Sequence, residues 1–374
     1  MIYYRACCIG VLFTEAKGNP EQLMSDSERI FREQYPDAFF LNADEPDSLE
    51  RHLKEVEWIG ADEKITGIGH PGEGNMNLVL RVRTNQQSLI IKQARPWVEK
   101  YPQIAAPVNR VEAEAKYYLL HRHHPDLKKH TPTPFGYDAE NFLLALEDLG
   151  ENADFLRHYQ RGSVITHDEL NVLINYISLL HNTDFGAEGT SFPDNTELRT
   201  LNHEHIFKYP YAIDNGFDLD TIQKGLQNAS MAFKNDPVLI GRVNELGSVY
   251  LGSGPCLLHG DYYPGSWLST EDGIRIIDPE FAHFGRPEFD VGVMLGHMKM
   301  TQMPNDMLKA MTDGYQRPKG FDDDLAVAFC GVEILRRIIG LAQLPLDLTL
   351  EERRDLLEQS RNMILHPIEC GLPQ

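Results

Sequence analysis

The chain has 374 residues, 42% of them hydrophobic, which is enough for two lobes around a sizeable core. Its 35 basic and 56 acidic residues give a formal net charge of −21, which argues against nucleic acid or an anionic membrane surface as a partner. The five cysteines show no metal-ligand spacing, and Cys256 and Cys330 lie in apolar runs. We therefore expect reduced thiols and a cytoplasmic protein.

The N-terminal residues do not predict a signal peptide. The apolar run at residues 7–13 is short, has little basic charge before it and no clean cleavage site after it. No later run is long enough to span a membrane. We expect residues 1–23 to form a poorly ordered extension, followed by amphipathic helices at residues 27–34 and 48–56.

Residues 65–83 predict a strand, a glycine-rich turn and a second strand. Glycines such as Gly72 and Gly74, with Asn75 beside them, allow backbone amides to approach a phosphate group closely. A glycine-rich hairpin is more often only a tight turn, and the absence of a following helix argues against the Walker and Rossmann phosphate loops. The turn alone is therefore a weak sign of a nucleotide site.

Lys92 ends the next apolar run, where its ordinary interpretation is a charge at a strand edge. A lysine that reaches phosphates needs a carboxylate to hold it, and the predicted helix over residues 108–121 offers Glu112 and Glu114. Of the two, Glu114 is explained equally well as a solvated helix charge. The spacing alone does not decide which of them is the partner of Lys92.

The pattern changes after the apolar strand at residues 142–146, which ends in a polar break containing Glu147, Leu149 and a glycine. Beyond this break the apolar residues recur at helical spacing. The predicted helices cover residues 168–181, 221–234, 238–251, 287–300, 305–315, 325–344 and 350–364, and residues 186–195 are linker-like. We expect an N-terminal lobe at residues 24–147 and a mainly helical C-terminal lobe at residues 148–374.

Residues 257–281, LLHGDYYPGSWLSTEDGIRIIDPEF, set carboxylates at the ends of apolar runs. The polar turn in this stretch predicts a β-hairpin, and antiparallel pairing brings the chain near Ser266 back beside Asp278. Asp261 should then lie near Asp278 and Glu280. Such hard oxygen ligands suit Mg²⁺ bound to substrate phosphates, and a lone aspartate is free to accept a hydroxyl proton. The alternative is a loop with three solvated acids.

The HGD and DPE sequences at residues 259–261 and 278–280 together resemble the aminoglycoside phosphotransferase family, distant relatives of the protein kinases. Most members carry Asn where this chain has Ser266, and the serine form is similar to the methylthioribose kinases, as is FDVG at residues 289–292. The resemblance implies an α+β, protein-kinase-like two-lobe fold. A small antiparallel β lobe would precede a larger, mainly helical lobe.

The resemblance also implies ATP and Mg²⁺ as cofactors and transfer of the γ-phosphoryl group to a hydroxyl of a small sugar such as 5-methylthioribose. Asp261 would orient and deprotonate that hydroxyl. Asp278 and Glu280 would hold Mg²⁺, with Ser266 assisting. Lys92 would place the phosphates together with Glu112, chosen because the sequence RVE at residues 110–112 resembles the Arg-Ile-Glu of methylthioribose kinases.

Two further regions gain roles from the resemblance. The glycine loop with Gly72, Gly74 and Asn75 would cover the nucleotide, and Glu147 and Leu149 would lie in the hinge that meets the adenine. Those kinases carry a Trp-Pro loop where this chain has Tyr-Pro-Gln-Ile at residues 101–104. The identity of the sugar therefore stays open.

Arg336 and Arg337 lie in an apolar helix and are similar to the twin-arginine motif that methylthioribose kinases place beside their substrate. Adjacent helix residues point about 100° apart, so we expect only Arg337 to face the acceptor, while Arg336 pairs with Glu333. An arginine-lined site would repel a cation such as choline or an aminoglycoside, which favours a neutral or anionic acceptor.

Two alternatives remain. The chain could be a kinase for another small hydroxyl compound, such as an amino sugar or an amino alcohol, or a nucleotide-binding pseudokinase that acts as an interaction module. Lys92, Asp261 and Asp278 are all present, which ranks the pseudokinase low. The sequence does not decide between ATP and GTP or fix the oligomeric state, and a homodimer stays open.

Overall fold

The structure is a computed structural model that describes residues 20–72 and 76–372. Gly74 and Asn75 of the predicted glycine loop lie outside these ranges, and so do residues 1–19 of the predicted extension. Residues 20–23 of that extension belong to the first helix. None of the helices in the described ranges combines the length and the apolar character that a membrane crossing needs.

The N-terminal part is organised around an antiparallel sheet with the strand order β1-β2-β3-β7-β6, and β4 pairs with β5 in a small separate hairpin. Its elements are α1 (Pro20–Gln34), α2 (Pro46–Glu55), β1 (Ile65–Gly69), β2 (Leu78–Thr84), β3 (Ser88–Gln93), β4 (Trp97–Val98), β5 (Tyr101–Ala105), α3 (Arg110–His121), α4 (Pro125–Lys128), β6 (Pro134–Asp138) and β7 (Leu143–Glu147).

Alternation along the central strand β3 gives this sheet two different faces. Leu89 and Ile91 are fully buried in a small core that also contains Leu49 and Leu53 of α2. Ile90 packs on the opposite face against the main core of the protein. Because side chains alternate along a strand, Lys92 points to the same side as Ile90. The sheet therefore presents Lys92 towards α3 and the rest of the protein.

The C-terminal part is mainly helical. Its elements are β8 (Ala153–Asp154), α5 (His167–Asn182), α6 (Gly186–Thr190), α7 (Thr196–Phe207), α8 (Leu226–Lys234), α9 (Pro237–Leu251), β9 (Cys256–Leu258), β10 (Trp267–Thr270), β11 (Gly273–Ile276), β12 (His283–Gly285), α10 (Glu288–Met300), α11 (Asn305–Gly314), α12 (Asp323–Ile339), α13 (Leu350–Leu365) and α14 (Pro367–Cys370). Helix α12 is central, since all of its residues from 326 to 339 are buried.

Three predicted elements differ from the structure. The helix predicted over residues 325–344 ends at Ile339, because Gly340 takes an extended conformation with ψ of −175° that a helix cannot continue. The helix predicted from residue 221 begins at Leu226, since Gly225 has a left-handed φ of +91°. The predicted linker over residues 186–195 contains helix α6.

The predicted hairpin after the HGD sequence is present as β10 and β11. Trp267 pairs with Ile276, and the strands meet at the turn between Thr270 and Gly273. At the open end, the backbone N–H of Ile277 donates to the carbonyl of Ser266 at 3.0 Å. This pairing brings the end of the HGD loop beside Asp278, as the sequence predicted.

Candidate active site

The HGD loop follows β9 and is fixed by Asp290, at the start of α10. The carboxylate of Asp290 accepts hydrogen bonds from the backbone N–H groups of His259 at 2.7 Å and Gly260 at 2.9 Å. Gly260 has a φ of +84°, and a Cβ there would lie 2.4 Å from the carbonyl oxygen of Phe281. Only glycine fits this turn. The loop therefore has one conformation, with Asp261 at its end.

His259 ties the HGD loop to the residue before Asp278. Its Nε2–H donates to the carbonyl of Ile277 at 3.0 Å, and its Nδ1 lies 3.4 Å from the backbone N–H of Asp261. Burial lowers the pKa of His259, so the ring is neutral and carries its proton on Nε2. The imidazole thus braces the two segments that carry Asp261 and Asp278.

Lys92, Glu114 and Asp278 form a first group of charges, which we call the Lys92 cluster. The Nζ of Lys92 lies 2.6 Å from Glu114 Oε1 and also contacts Asp278 Oδ1. Burial opposes the charge on Lys92, but the carboxylates of Asp278 and Glu114 outweigh it and raise the pKa of the lysine. The lysine is therefore held as a cation between a carboxylate of α3 and one of the DPE sequence.

The prediction that Glu112 is the partner of Lys92 is wrong. Glu112 instead pairs with Lys116 at 2.8 Å, on the outer side of α3. Residues two apart on a helix point about 200° from each other, so only one of the two glutamates can face the sheet. Glu114 is fully buried and shares its face with Val111. The phase of the buried residues of α3 indicates that Glu114, and not Glu112, faces the sheet.

Asn77 and Arg110 connect the end of the glycine loop to Glu280. Buried Arg110 donates from Nε to Asn77 Oδ1 at 2.8 Å, and Asn77 Nδ2 donates to Glu280 Oε2 at 2.8 Å. Burial lowers the pKa of Arg110 to about 10 and raises the pKa of Glu280 to about 8. Asn77 was missed from the sequence, because nothing in Asn-Met-Asn distinguishes it from Asn75.

The predicted metal ligands have different surroundings. Asp278 is about half exposed, with a left-handed φ of +61° unusual for a non-glycine residue. Ser266 donates its hydroxyl to the carbonyl of Asp261 at 3.1 Å. The described residues contain no group of three or more His, Cys, Asp or Glu that could hold a metal alone. One or two carboxylates fit Mg²⁺ that is also bound by phosphates and water, so Asp278 and Glu280 suit that ion.

Asp261, Glu333, Arg336 and Arg337 form a second group, the arginine cluster. Asp261 Oδ1 lies 3.0 Å from Arg337 Nη2 and 3.6 Å from Arg336 Nη2. Glu333 lies 2.6 Å from Arg337 and 3.2 Å from Arg336. Burial would raise the pKa of Glu333, but Arg336 and Arg337 outweigh it and hold that pKa well below its usual range. Two buried cations therefore face two carboxylates.

The expectation that Arg336 and Arg337 cannot face the same point is wrong, since both guanidinium groups reach Asp261. Contact of either arginine with an acceptor stays a prediction. The offset of about 100° describes the directions in which the two side chains leave the helix, not where they end. Arginine side chains are long enough to converge on one carboxylate from adjacent positions. The predicted pairing of Arg336 with Glu333 is present, and Arg337 makes the same pairing.

The predicted hinge and glycine-loop residues take part in local contacts. Glu147 ends β7 and accepts a hydrogen bond from the backbone N–H of Thr133 at 2.9 Å. The carbonyl of Leu149 accepts from the side chain of Asn152. A Cβ at Gly72 would meet nothing within 4 Å, so packing does not require glycine there. Glu147 and Leu149 lie where the sheet lobe joins the helical part, and Gly72 lies between β1 and β2. The contact of all three with a nucleotide stays a prediction.

Comparisons with known proteins agree with this geometry. A model of the phosphotransferase enzyme family matches residues 70–324. Methylthioribose kinase 1 of Oryza sativa subsp. japonica is 28% identical over 257 residues, which cover 66% of this chain and 59% of the rice protein. Methylthioribose kinase of Exiguobacterium sibiricum is 25% identical over 378 residues, covering 87% and 93% of the two chains. The chain thus spans about three fifths of the rice relative.

A solved structure of a spectinomycin phosphotransferase, determined with ADP and spectinomycin, has a TM-score of 0.51 to this chain. The two share 15% sequence identity, and the match covers 85% of this chain and 98% of the other. At this identity the likeness concerns the fold alone. The predicted α+β, kinase-like two-lobe fold is confirmed.

Proposed function

Because the chain belongs to the phosphotransferase enzyme family, we propose that it is an ATP-dependent kinase that phosphorylates a hydroxyl group of a small sugar of the 5-methylthioribose type. The observation that carries this proposal is the position of Asp261. Its loop is braced through His259 to Ile277, beside Asp278 of the Lys92 cluster, while its carboxylate lies in the arginine cluster. The carboxylate of Asp261 can accept a proton from an acceptor bound at the arginine cluster while the phosphates lie at the Lys92 cluster.

The roles follow from the chemistry of phosphoryl transfer. The acceptor oxygen attacks the γ-phosphorus as the bond to ADP breaks, and the hydroxyl proton passes to the carboxylate of Asp261. Lys92, held by Glu114, is available to position phosphates. Asp278 and Glu280 would hold Mg²⁺, which when bound neutralises charge on the phosphates. The hydroxyl of Ser266 supports Asp261 by donating to the backbone carbonyl of Asp261.

The remaining assignments of the nucleotide site rest on the family and on position. Gly72 would lie over the phosphates with Gly74 and Asn75, and Glu147 and Leu149 would border the adenine. We also infer a reducing, cytoplasmic location, which the free and buried thiols of Cys256 and Cys330 support.

The acceptor class follows from the charge of the arginine cluster. Two guanidinium groups face the carboxylates of Asp261 and Glu333, so the formal charges cancel. A cationic acceptor would meet two arginines, and an anionic acceptor would have to compete with two carboxylates that already pair with them. A neutral acceptor with several hydroxyl groups fits a site that offers both donors and acceptors. The relatives named methylthioribose kinase support this choice.

The proposal is tested by release of ADP from ATP and Mg²⁺ in the presence of 5-methylthioribose, choline or spectinomycin. We expect acceptor-dependent release with 5-methylthioribose and a phosphorylated sugar detectable by ³¹P nuclear magnetic resonance. Asp261→Asn is the control for contaminating kinases. If 5-methylthioribose gives no release above the acceptor-free rate while another compound does, the proposed substrate is wrong.

A further inference from the structure

The arginine cluster continues into a buried row of side chains that the proposed reaction does not use. Tyr159 Oη lies 2.5 Å from His297 Nδ1, and His297 Nε2 lies 2.9 Å from Glu333 Oε1. The same oxygen accepts from Arg337 Nε at 2.6 Å. Each of Tyr159, His297 and Glu333 is at most 3% exposed. The row thus joins the turn Phe155–Tyr159, α10 and α12 to Asp261.

The proton positions in this row follow from its chemistry. Burial lowers the pKa of His297 to about 4, so the ring is neutral near pH 7 and carries one N–H. An ionised Glu333 only accepts, so that proton is on Nε2 and Nδ1 accepts from Tyr159. Burial raises the pKa of Tyr159 well above its usual value, which keeps its hydroxyl protonated. His297 therefore holds the carboxylate of Glu333 without adding a charge.

The two arginines are not held equally. Arg337 donates with good geometry to both Glu333 and Asp261, and its guanidinium lies over the ring of Tyr263 at 4.8 Å. Arg336 Nη1 lies 3.2 Å from Glu333 Oε2 as an ion pair without hydrogen-bond alignment, and the buried Nε of Arg336 has no hydrogen-bond partner. Buried polar atoms of this kind are normally satisfied. Arg337 is locked, whereas Arg336 has bonding capacity left at Nε for a ligand.

We propose that Glu333, held by His297 and Tyr159, is the positioning residue of the acceptor site: it locks Arg337 against Asp261 and leaves the Nε of Arg336 for an acceptor hydroxyl. This inference rests on the proposed function, because it concerns the acceptor side of the same site. It assigns different tasks to the two arginines. It also gives a role to a histidine that lies 36 residues before Glu333 in the chain.

Two substitutions remove the lock in different ways. Glu333→Gln keeps the shape but leaves two guanidinium groups facing Asp261 alone. His297→Phe keeps the ring volume and removes the donor to Glu333, whereas His297→Gln restores a donor. We expect Glu333→Gln and His297→Phe to raise the acceptor KM by roughly tenfold or more and to lower kcat, as coupled neighbours in one network do. The KM for ATP should stay within about twofold, and His297→Gln should recover much of the loss.

The control is His121→Phe, a substitution of another fully buried histidine, which hydrogen-bonds the carbonyl of Tyr117 rather than Glu333. It should lower the melting temperature without changing the acceptor KM. The inference is overturned if the wild type is active and both Glu333→Gln and His297→Phe keep the wild-type acceptor KM and kcat. It is equally overturned if the two variants only lower the melting temperature, as His121→Phe should. The same holds if they raise the KM for ATP as much as the KM for the acceptor.

A second readout needs no acceptor and separates this inference from the proposed function. Spectra of the full chain labelled with ¹⁵N-histidine report which ring nitrogen of His297 carries the proton. We expect the Nε2–H form at pH 7 and a shifted signal in Glu333→Gln. An Nδ1–H or a doubly protonated ring would overturn the proposed row of hydrogen bonds. Inactivity of the wild type towards every acceptor would instead overturn the proposed function. The histidine spectra would then still test whether Glu333 accepts a hydrogen bond from His297.

Discussion

The Lys92 cluster and the arginine cluster differ in charge and in construction. The Lys92 cluster sets one cation between two carboxylates, from β3, α3 and the DPE sequence. The arginine cluster sets two cations against two carboxylates, all from the C-terminal part. The first has an excess of negative formal charge, and the second is balanced.

This difference indicates what each cluster can bind. An excess of carboxylate favours a further cation, which fits Mg²⁺ carried by a nucleotide. The first cluster also joins the sheet lobe to the DPE sequence, so its geometry depends on how the two parts meet. The balanced cluster is built on α12, whose residues 326–339 are all buried. It is formed within the C-terminal part, by α12 and the HGD loop, and favours a neutral ligand.

The largest effect is expected at Asp261, the proposed base. Asp261→Asn keeps the shape but removes the base, so we expect kcat to fall by roughly 10²–10⁴-fold. Calorimetry should show nearly unchanged Mg-ATP affinity, because the nucleotide contacts are proposed for the Lys92 cluster. Asp272→Asn, an exposed carboxylate in the β10–β11 turn, is the matched control. Wild-type turnover of Asp261→Asn would remove this residue from the mechanism.

A matched pair in α3 tests the Lys92 cluster. Glu114→Gln leaves Lys92 with one carboxylate and should raise the KM for ATP and lower kcat, each by roughly tenfold, since the pair is buried. Glu112→Gln changes a partly exposed pair with Lys116 and should alter both constants by less than about twofold. Steady-state kinetics at varied ATP decide between them. The reverse order of effects would restore Glu112 as the partner.

The arginine cluster predicts different losses for its two arginines. Arg336→Ala should mainly raise the acceptor KM, by roughly tenfold, because Arg336 has bonding capacity left for a ligand. Arg337→Ala should mainly lower kcat, since it releases Asp261 from its best-aligned donor. The KM for ATP should hold in both variants. Identical changes in the two variants would contradict the division of tasks, as would loss of ATP affinity.

The smallest effect concerns stability against acid. Burial lowers the pKa of His297 to about 4, whereas an unfolded histidine titrates near 6.5. Between these values the unfolded chain binds more protons, so the stability contributed by neutral His297 is full above pH ~6.5 and is lost as the pH falls towards ~4. At pH 5 this loss is about 2 kcal/mol. The free energy of unfolding in urea is measured for the wild type and for His297→Gln at pH 7 and pH 5. It should decrease less for the variant between these pH values, and an equal decrease would contradict the lowered pKa of His297.

The parts of the site that sequence reasoning predicted are those with local signals. The β10–β11 hairpin followed from one polar turn between apolar runs, and its pairing placed Ser266 beside Ile277, the residue before Asp278. Lys92 stood out because it ends an apolar strand. The predicted end of α12 is wrong because Gly340 takes an extended conformation although apolar residues continue on both sides of it.

The parts that were missed depend on orientation and on distance along the chain. The choice of Glu112 over Glu114 failed because it followed a resemblance and ignored the helical phase of α3. The convergence of Arg336 and Arg337 depends on side-chain length. His297 could not be connected with Glu333 from sequence, since only the packing of α10 against α12 brings them within 2.9 Å.

The central claim is that the acceptor site is a balanced arginine cluster that selects a neutral sugar. Its most direct test is the ratio of kcat/KM for 5-methylthioribose to kcat/KM for choline, measured with ATP and Mg²⁺ under one set of conditions. We predict a ratio above about 100, since like charges placed opposite each other discriminate by several kcal/mol. A ratio near one, or a preference for choline, would contradict the claim.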